Sequence, residues 1–197
     1  GVDDMMQQFF AAVNDVADDP TSIPARQVML NRADQLSDRF NTLDGWFEDI
    51  RNQLNRDLER EVNEINSLAQ SIAEVNVRVR NLSGGGGSVP NDILDERDRL
   101  IDELSAYTNV STLAQDDGSL NVFIGTGQAL VVGANYNRLG VTNGLAADQK
   151  EIVIQQSSGV QVNVRQQLTG GSLGGMLRFR DEVLKPGTER TRARVVV

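Results

Sequence analysis

The stretch that decides the fold is residues 54–82, which read LNRDLEREVNEINSLAQSIAEVNVRVRNL. Its apolar residues recur at steps of three and four, the spacing of one face of an α-helix. The pattern extends backwards without a proline to Pro24, and Gly45 is the one glycine within it. The sequence therefore predicts one long helix over about residues 22–82, with a break at Gly45 left open. The apolar row, which we call the seam, shows heptad-like spacing with a phase shift near its middle. The seam consists of Leu36, Phe40, Leu43, Phe47, Ile50, Leu54, Leu58, Val62, Ile65, Leu68, Ile72, Val75, Val79 and Leu82.

Two shorter helices are predicted on either side of the long one. Apolar residues at helical spacing indicate a helix over about residues 3–18, and we expect Phe9 and Phe10 in its core-facing side. A glycine-rich loop over residues 84–88 separates the long helix from a third, over about residues 91–106. Such a loop is typical of a connection between antiparallel helices, so the third helix should fold back along the long one.

The period changes after Asn109, where short runs rich in β-branched residues begin. We expect hairpin turns at residues 116–119 and 125–127, where glycine supplies positive φ. Helical spacing returns at Ser172 and lasts until Pro186. The predicted strands are 110–113, 120–124, 129–132, 138–142, 151–155 and 160–166.

These elements predict an α+β fold that is mainly α, namely a long antiparallel, coiled-coil-like helical rod with a small antiparallel β unit. Residues 1–109 would form the rod and residues 110–168 the β unit. Residues 169–197 would be a returning helix and a tail that belong to the rod.

Composition excludes several kinds of chemistry. The 197 residues include no Cys and no His, which removes thiol and imidazole catalysis, disulfides and the usual zinc sites. The net charge is −9, and residues 1–109 hold 21 acidic and 10 basic side chains. Because this acidic half would repel polyanions, we expect no nucleic-acid or membrane partner.

Acidic side chains crowd the third helix, where paired carboxylates could serve acid–base chemistry or bind a hard cation. Arginines are interleaved with them, and Asp95 and Arg99 have the spacing of an ion pair within a helix. We therefore predict a solvated helix face, and no catalytic, cofactor or metal site in the chain. The acidic residues are Asp92, Asp95, Glu96, Asp98, Asp102 and Glu103.

Two glycine motifs resemble phosphate-binding loops. Residues 125–127 read GTG but lead into a strand, so we interpret them as a turn. Residues 170–175 read GGSLGG and precede a helix, so an anion site is conceivable there. No lysine follows at the phosphate-loop spacing, which favours close packing of the helix start against the β unit.

Three asparagines, Asn63, Asn66 and Asn76, lie beside the seam although asparagine is a poor helix former. They would either fix the register of a packing partner or lie exposed on the flank. Basic residues near the end of the chain could bind a phosphate or an acidic partner, or belong to a frayed terminus. They are Arg190, Arg192 and Arg194.

Four motifs carry a resemblance to a known family. They are EINSLAQSIAEVN at 64–76, PNDILDERDRLIDELS at 90–105, DGSLNVFIG at 117–125 and GGSLGGMLRFRD at 170–181. In this order they resemble the bacterial flagellar hook-associated protein 1 family, whose members form the hook–filament junction. The resemblance covers roughly residues 5–185.

The resemblance implies a secreted structural protein of motility, located in the extracellular flagellum as part of a ring between hook and filament. Its implied partners are other copies of itself, the hook protein and the second hook–filament junction protein. It also implies a core fragment that lacks the family's terminal assembly segments, with an atypical tail from residue 187. The fragment alone should be monomeric.

Two other function classes stay open on the sequence alone. One is a coiled-coil adaptor, or a component of another secretion or tail machine, which would not explain the β unit. The other is a carboxylate enzyme such as a glycoside hydrolase, which needs two acids facing each other across a cleft.

Overall fold

The computed structural model describes residues 1–84, 88–144, 150–155 and 159–189. The fold is α+β and mainly α, as the sequence predicts. The elements are α1 (Val2–Asp18), α2 (Ile23–Gly84), α3 (Asn91–Tyr107), β1 (Val110–Ala114), β2 (Leu120–Ile124), β3 (Gln128–Val132), β4 (Asn135–Tyr136), β5 (Arg138–Asn143), β6 (Lys150–Gln155), β7 (Gln161–Asn163) and α4 (Gly171–Phe179). No helix in the described ranges is long and apolar enough to cross a membrane.

Helix α2 continues through Gly45 without a break. Its start is capped by Ser22, whose Oγ accepts a hydrogen bond from the Ala25 N–H at 3.3 Å. Gly45 is exposed, and no heavy atom lies within 4 Å of the position that a Cβ would take there. The helix therefore tolerates this glycine, at a cost of about 1 kcal/mol relative to alanine.

The chain forms two compact units. Unit 1 comprises Gly1–Arg51 together with the chain from Glu182 onward, and unit 2 comprises Asn52–Asp181. The change of sequence period predicted domain boundaries after residues 109 and 168. Those boundaries reflect secondary structure and not contacts, and they stay a prediction.

Unit 1 has a small core. Its buried apolar residues in the described part are Ala12, Phe40 and Leu184. The expectation that Phe10 lies in the core is wrong, because its side chain is 55% exposed while Phe9 is half-buried. Consecutive residues on a helix point about 100° apart, so one narrow core face cannot hold both rings.

Unit 2 holds most of the core. The seam from Leu54 onward is largely buried there, and α3 adds Leu100 and Leu104. An ion pair joins Arg78, near the end of α2, to Glu96, near the start of α3, with 2.7 Å between Nη2 and Oε2. This ion pair brings the first half of α3 back beside the last turns of α2, in the predicted direction.

The β region contains two antiparallel sheets, with strand orders β1-β2-β3-β4 and β5-β6-β7. We call them the four-stranded and the three-stranded sheet. Strand β4 is two residues long and follows a turn at Gly133, whose φ is +59°. This strand was not predicted, because two residues carry no periodicity. Strand β7 is shorter than the predicted run over residues 160–166.

The returning helix differs from the prediction at its end. Helix α4 passes into a π-helical segment at Arg180–Leu184, and residues 185–189 are helical as well. The expected stop at Pro186 is therefore wrong. A π-helical turn displaces the carbonyls that a proline ring would otherwise meet, so the chain stays helical past Pro186. The basic residues Arg190, Arg192 and Arg194 lie outside the described residues.

Candidate functional site: the asparagine anchors of the long helix

Asn66 anchors the three-stranded sheet to α2. Its Nδ2 donates to the Leu139 carbonyl at 2.9 Å, and its Oδ1 accepts from the Leu139 N–H at 2.8 Å. Leu139 belongs to β5, the edge strand of its sheet, and faces Ile154 across the ladder. The Asn66 amide thus takes the place that a further strand would occupy. Asn66 is 8% exposed, so these bonds satisfy polar groups that water hardly reaches.

Asn76 anchors the four-stranded sheet in a similar way. Its Oδ1 accepts from the Leu120 N–H at 3.0 Å, and its Nδ2 donates to the carbonyls of Leu120 at 2.7 Å and Gly133 at 2.8 Å. Gly133 in turn donates its N–H to Asn121 Oδ1 at 2.8 Å. One side chain, 1% exposed, therefore ties the start of β2 and the turn after β3 to the helix.

Both alternatives predicted for the three asparagines are found in the structure. Asn66 and Asn76 set the register of a packing partner, whereas Asn63 is exposed on the flank. The partner is a sheet of the same unit rather than another helix. Ten residues separate the two anchors, which corresponds to about 15 Å along the helix axis. Each sheet is therefore attached at a different position along α2. The asparagine amides are neutral, so their hydrogen bonds to the strand backbone do not depend on a titrating group.

The hairpin turn between β1 and β2 is confirmed. Asp117 Oδ1 accepts from the Ser119 N–H at 2.9 Å and from Ser119 Oγ at 2.6 Å. These hydrogen bonds, with that from the Ser119 hydroxyl the stronger, lower the pKa of the Asp117 carboxyl. Gly118 has a φ of +83° and accepts at its carbonyl from Arg97 Nη1 at 3.0 Å. The turn is thus tied to α3 as well as to its own strands.

The glycine motif before α4 allows close packing. A Cβ on Gly170 would lie 1.9 Å from Asn109 Oδ1, and one on Gly171 would lie 2.2 Å from the Tyr107 carbonyl carbon. Both residues have positive φ. The start of α4 therefore packs against the segment that connects α3 to β1. The predicted contact was with the β unit as a whole. Thr169 strengthens this junction by accepting from the Asn109 N–H at 3.0 Å.

The GTG motif is a turn between β2 and β3, as predicted. Gly125 has a φ of +58°, and a Cβ there would lie 2.0 Å from the Gln167 carbonyl oxygen. That oxygen accepts from the Thr126 N–H at 3.0 Å. Glycine is needed here because another stretch of backbone, not a phosphate, occupies the space.

Two of the six acidic residues of α3 form ion pairs with arginine. Glu96 pairs with Arg78, and this bond lowers the pKa of the exposed Glu96 carboxyl. The expected pair of Asp95 with Arg99 is wrong, since Arg99 Nη1 lies 2.5 Å from Glu103 Oε1 instead. Both acids have i, i+4 spacing, but glutamate has one more methylene with which to reach. Among the described residues no group of three or more acids could hold a metal ion.

A partly buried ionic cluster in unit 2 was not predicted from the sequence. Arg180 is 5% exposed and donates to the Lys150 carbonyl, and burial lowers the pKa of its guanidinium, which still remains charged. Arg165 pairs with Asp181 and, at 3.3 Å, with Glu151. The sequence offered one indication that Arg180 is buried, because it lies three residues after Leu177 and so on the same apolar helix face.

Known proteins match this chain over nearly its whole length. The family model described as "Flagellar hook-associated protein FlgK helical domain" matches residues 1–192. The chain is 32% identical over 183 residues to flagellar hook-associated protein 1 of Escherichia coli, covering 91% of this chain and 33% of that protein. It is 31% identical over 182 residues to the protein of that name from Salmonella typhimurium, with the same coverage.

A solved structure shows the same fold. The flagellar hook junction protein FlgK from Burkholderia pseudomallei superposes with a TM-score of 0.85 at 28% identity, covering 94% of this chain and 34% of that one. This chain thus spans about a third of the length of its relatives. With a family match over nearly every residue and anchors that fix two sheets on one long helix, the chain belongs to the family of flagellar hook-associated protein FlgK helical domains.

Proposed function

We propose that this chain is the helical-domain part of a structural subunit that forms the junction between hook and filament in the bacterial flagellum. The observation that carries the proposal is the likeness to a solved hook junction protein over 94% of the chain. The anchored sheets fix the architecture of unit 2, as a subunit of an ordered assembly requires.

The proposed partners are other copies of the same protein in a ring, the hook protein and the second hook–filament junction protein. The proposed location is the extracellular flagellum, which the protein would reach by secretion. Support comes from unit 1, where large apolar side chains are exposed as they are at interaction surfaces. These side chains are Phe10, Ile23, Val28, Leu30, Trp46 and Val183.

The alternative of a coiled-coil adaptor is less well supported. Pairing between chains would need the seam of the long helix to be free. From Leu54 to Val79 the seam is mostly buried within this chain. The corresponding part of α2 is therefore unavailable to a partner helix unless the two sheets detach.

We further propose that the domain performs no catalysis and binds no metal or cofactor. The acids that suggested such chemistry lie on an exposed helix face, and two of them, Glu96 and Glu103, are paired with arginine. Calorimetric titration with Ca²⁺ and Zn²⁺ should show no stoichiometric submicromolar binding, and such binding would overturn this proposal.

A domain exchange tests the main proposal. Residues 1–192 of this chain replace the matching part of the Escherichia coli relative, and motility is measured in cells that lack their own copy. Filaments and swimming should be restored. A matched chimera with Asn66→Ala and Asn76→Ala should restore less. A chimera that is exported intact yet never supports filament growth would contradict the proposal.

Oligomeric state separates the proposal from the adaptor. The isolated chain should scatter light as a monomer at micromolar concentration, because the acidic residues 1–109 repel each other between molecules. A dimer that persists on dilution would favour the adaptor.

A further inference from the structure

The end of β5 holds an asparagine–glycine dipeptide, a sequence prone to deamidation. Asn143 is the one asparagine in the sequence that is followed by glycine. It is exposed, and it forms the last rung of the ladder with Lys150. Gly144 lies just beyond the strand. Lys150 Nζ donates to Asn143 Oδ1 at 3.1 Å.

We propose that Asn143 is a site of spontaneous deamidation in the folded protein. The Gly144 backbone nitrogen loses its proton to base and attacks Asn143 Cγ. A C–N bond forms, the bond from Cγ to Nδ2 breaks, and the departing nitrogen takes up a proton and leaves as ammonia. The five-membered succinimide that results is opened by one molecule of solvent water, to aspartate or to isoaspartate depending on which carbonyl is attacked.

Local structure favours this residue over the other asparagines. Glycine has no side chain to hinder the approach of its nitrogen, and a terminal rung frays more readily than a central one. The hydrogen bond from Lys150 polarises the side-chain carbonyl toward attack. Asn66 also precedes a small residue, Ser67, but its amide is buried and both of its polar atoms are bonded to Leu139.

The product would alter the contact between the hairpin and α2. Lys150 Nζ also lies 3.5 Å from Glu59 Oε1 on that helix. A carboxylate at position 143 would compete with Glu59 for the same ammonium group. In the isoaspartate form an additional backbone methylene would displace the rung with Lys150. The modification therefore adds one negative charge where the three-stranded sheet meets the helix.

The experiment uses the intact folded chain. Trypsin releases residues 139–150 as LGVTNGLAADQK, in which Asn143 is the only asparagine. After incubation at mildly alkaline pH, mass spectrometry should show this peptide with an amide converted to a carboxyl and, transiently, with ammonia lost. An isoaspartyl methyltransferase should label part of the product. The rate should increase with pH, because the attacking nitrogen must lose a proton.

Two variants and one control make the test decisive. Gly144→Ala should slow the conversion several-fold, and Asn143→Gln should abolish it. Protein unfolded in urea provides the intrinsic rate of the same peptide. Conversion in urea with none in the folded chain would overturn the proposal, since the ladder would then protect the site. An unchanged rate in Gly144→Ala would overturn it as well.

Discussion

The two parts of α2 differ in burial although they share one seam. In residues 23–51, within unit 1, Phe40 is the one buried seam residue, and the other four are half-buried. In residues 52–84, within unit 2, most seam residues are buried. Periodicity therefore identifies the apolar face of a helix but does not say what covers it.

Both sheets contact the second part, and polar anchors make these contacts. Burying a large apolar side chain contributes about 1.5–3 kcal/mol, whereas burying an unpaired amide has a cost of similar size. Asn66 and Asn76 avoid that cost because each bonds to strand backbone. The difference between the two parts thus predicts that equal substitutions will have unequal effects.

The largest difference is expected for apolar truncation. Ile65→Ala should destabilise the protein by about 2–5 kcal/mol, since Ile65 is completely buried and a cavity would remain. Leu43→Ala, at a half-buried seam position in the unit 1 part of the same helix, should destabilise it distinctly less, because a smaller cavity would remain there. Urea unfolding followed by circular dichroism measures both. Equal losses would mean that the two parts are buried alike in solution.

The next effect concerns the anchors. Asn76→Ala should cost about 1–3 kcal/mol, because the N–H of Leu120 and the carbonyls of Leu120 and Gly133 lose their partner. Amide hydrogen exchange should show faster exchange at Leu120 than at Leu139, whose own anchor is intact. The matched control is Asn63→Ala, which alters an exposed asparagine of the same helix and should be nearly neutral. Similar losses for both variants would refute the anchor.

Much of the fold could be predicted because it rests on local rules. Periodicity predicts the long helix, and it left a continuous helix through Gly45 as one of two possibilities. Glycine at positions that need positive φ predicts the turns at Gly118 and Gly125. The asparagines were noticeable for the same reason, since their low helix propensity required an explanation. Which of them would be buried was not predictable, because this depends on where the sheets dock.

The parts that could not be predicted depend on long-range contacts. The two sheets are attached to α2 by the anchors, which join residues 73 and 44 positions apart in the chain. The cluster around Arg180 likewise joins the π-helical segment after α4 to the three-stranded sheet. The prediction that Phe10 is buried was wrong because unit 1 has few side chains that could cover an aromatic ring.

A smaller effect of opposite sign is expected at Gly45. Gly45→Ala should stabilise the protein by about 0.5–1 kcal/mol, since the helical position is exposed and a methyl group meets no atom within 4 Å. Gly118→Ala is the contrasting control and should destabilise, because Gly118 has a φ of +83° and its Cβ would lie 3.0 Å from Ser83 Oγ. Thermal unfolding of both variants tests the pair. Destabilisation by Gly45→Ala would show that this part of α2 is not a regular helix in solution.

The smallest expected effect is the titration of Asp117. Its folded-state pKa is held below the ordinary value of 3.8 by the hydrogen bonds from Ser119, so the carboxylate contributes stability that is present above that value. The contribution is lost as the pH falls through the lowered pKa. Ser119→Ala removes the hydroxyl donor but keeps the backbone N–H, so the pKa should rise part of the way back. Carboxyl-detected NMR titration measures this shift, with Ser111→Ala, on exposed β1, as the control that should leave it unchanged. A pKa that does not move in Ser119→Ala would mean that the turn is held by its glycine and not by the aspartate.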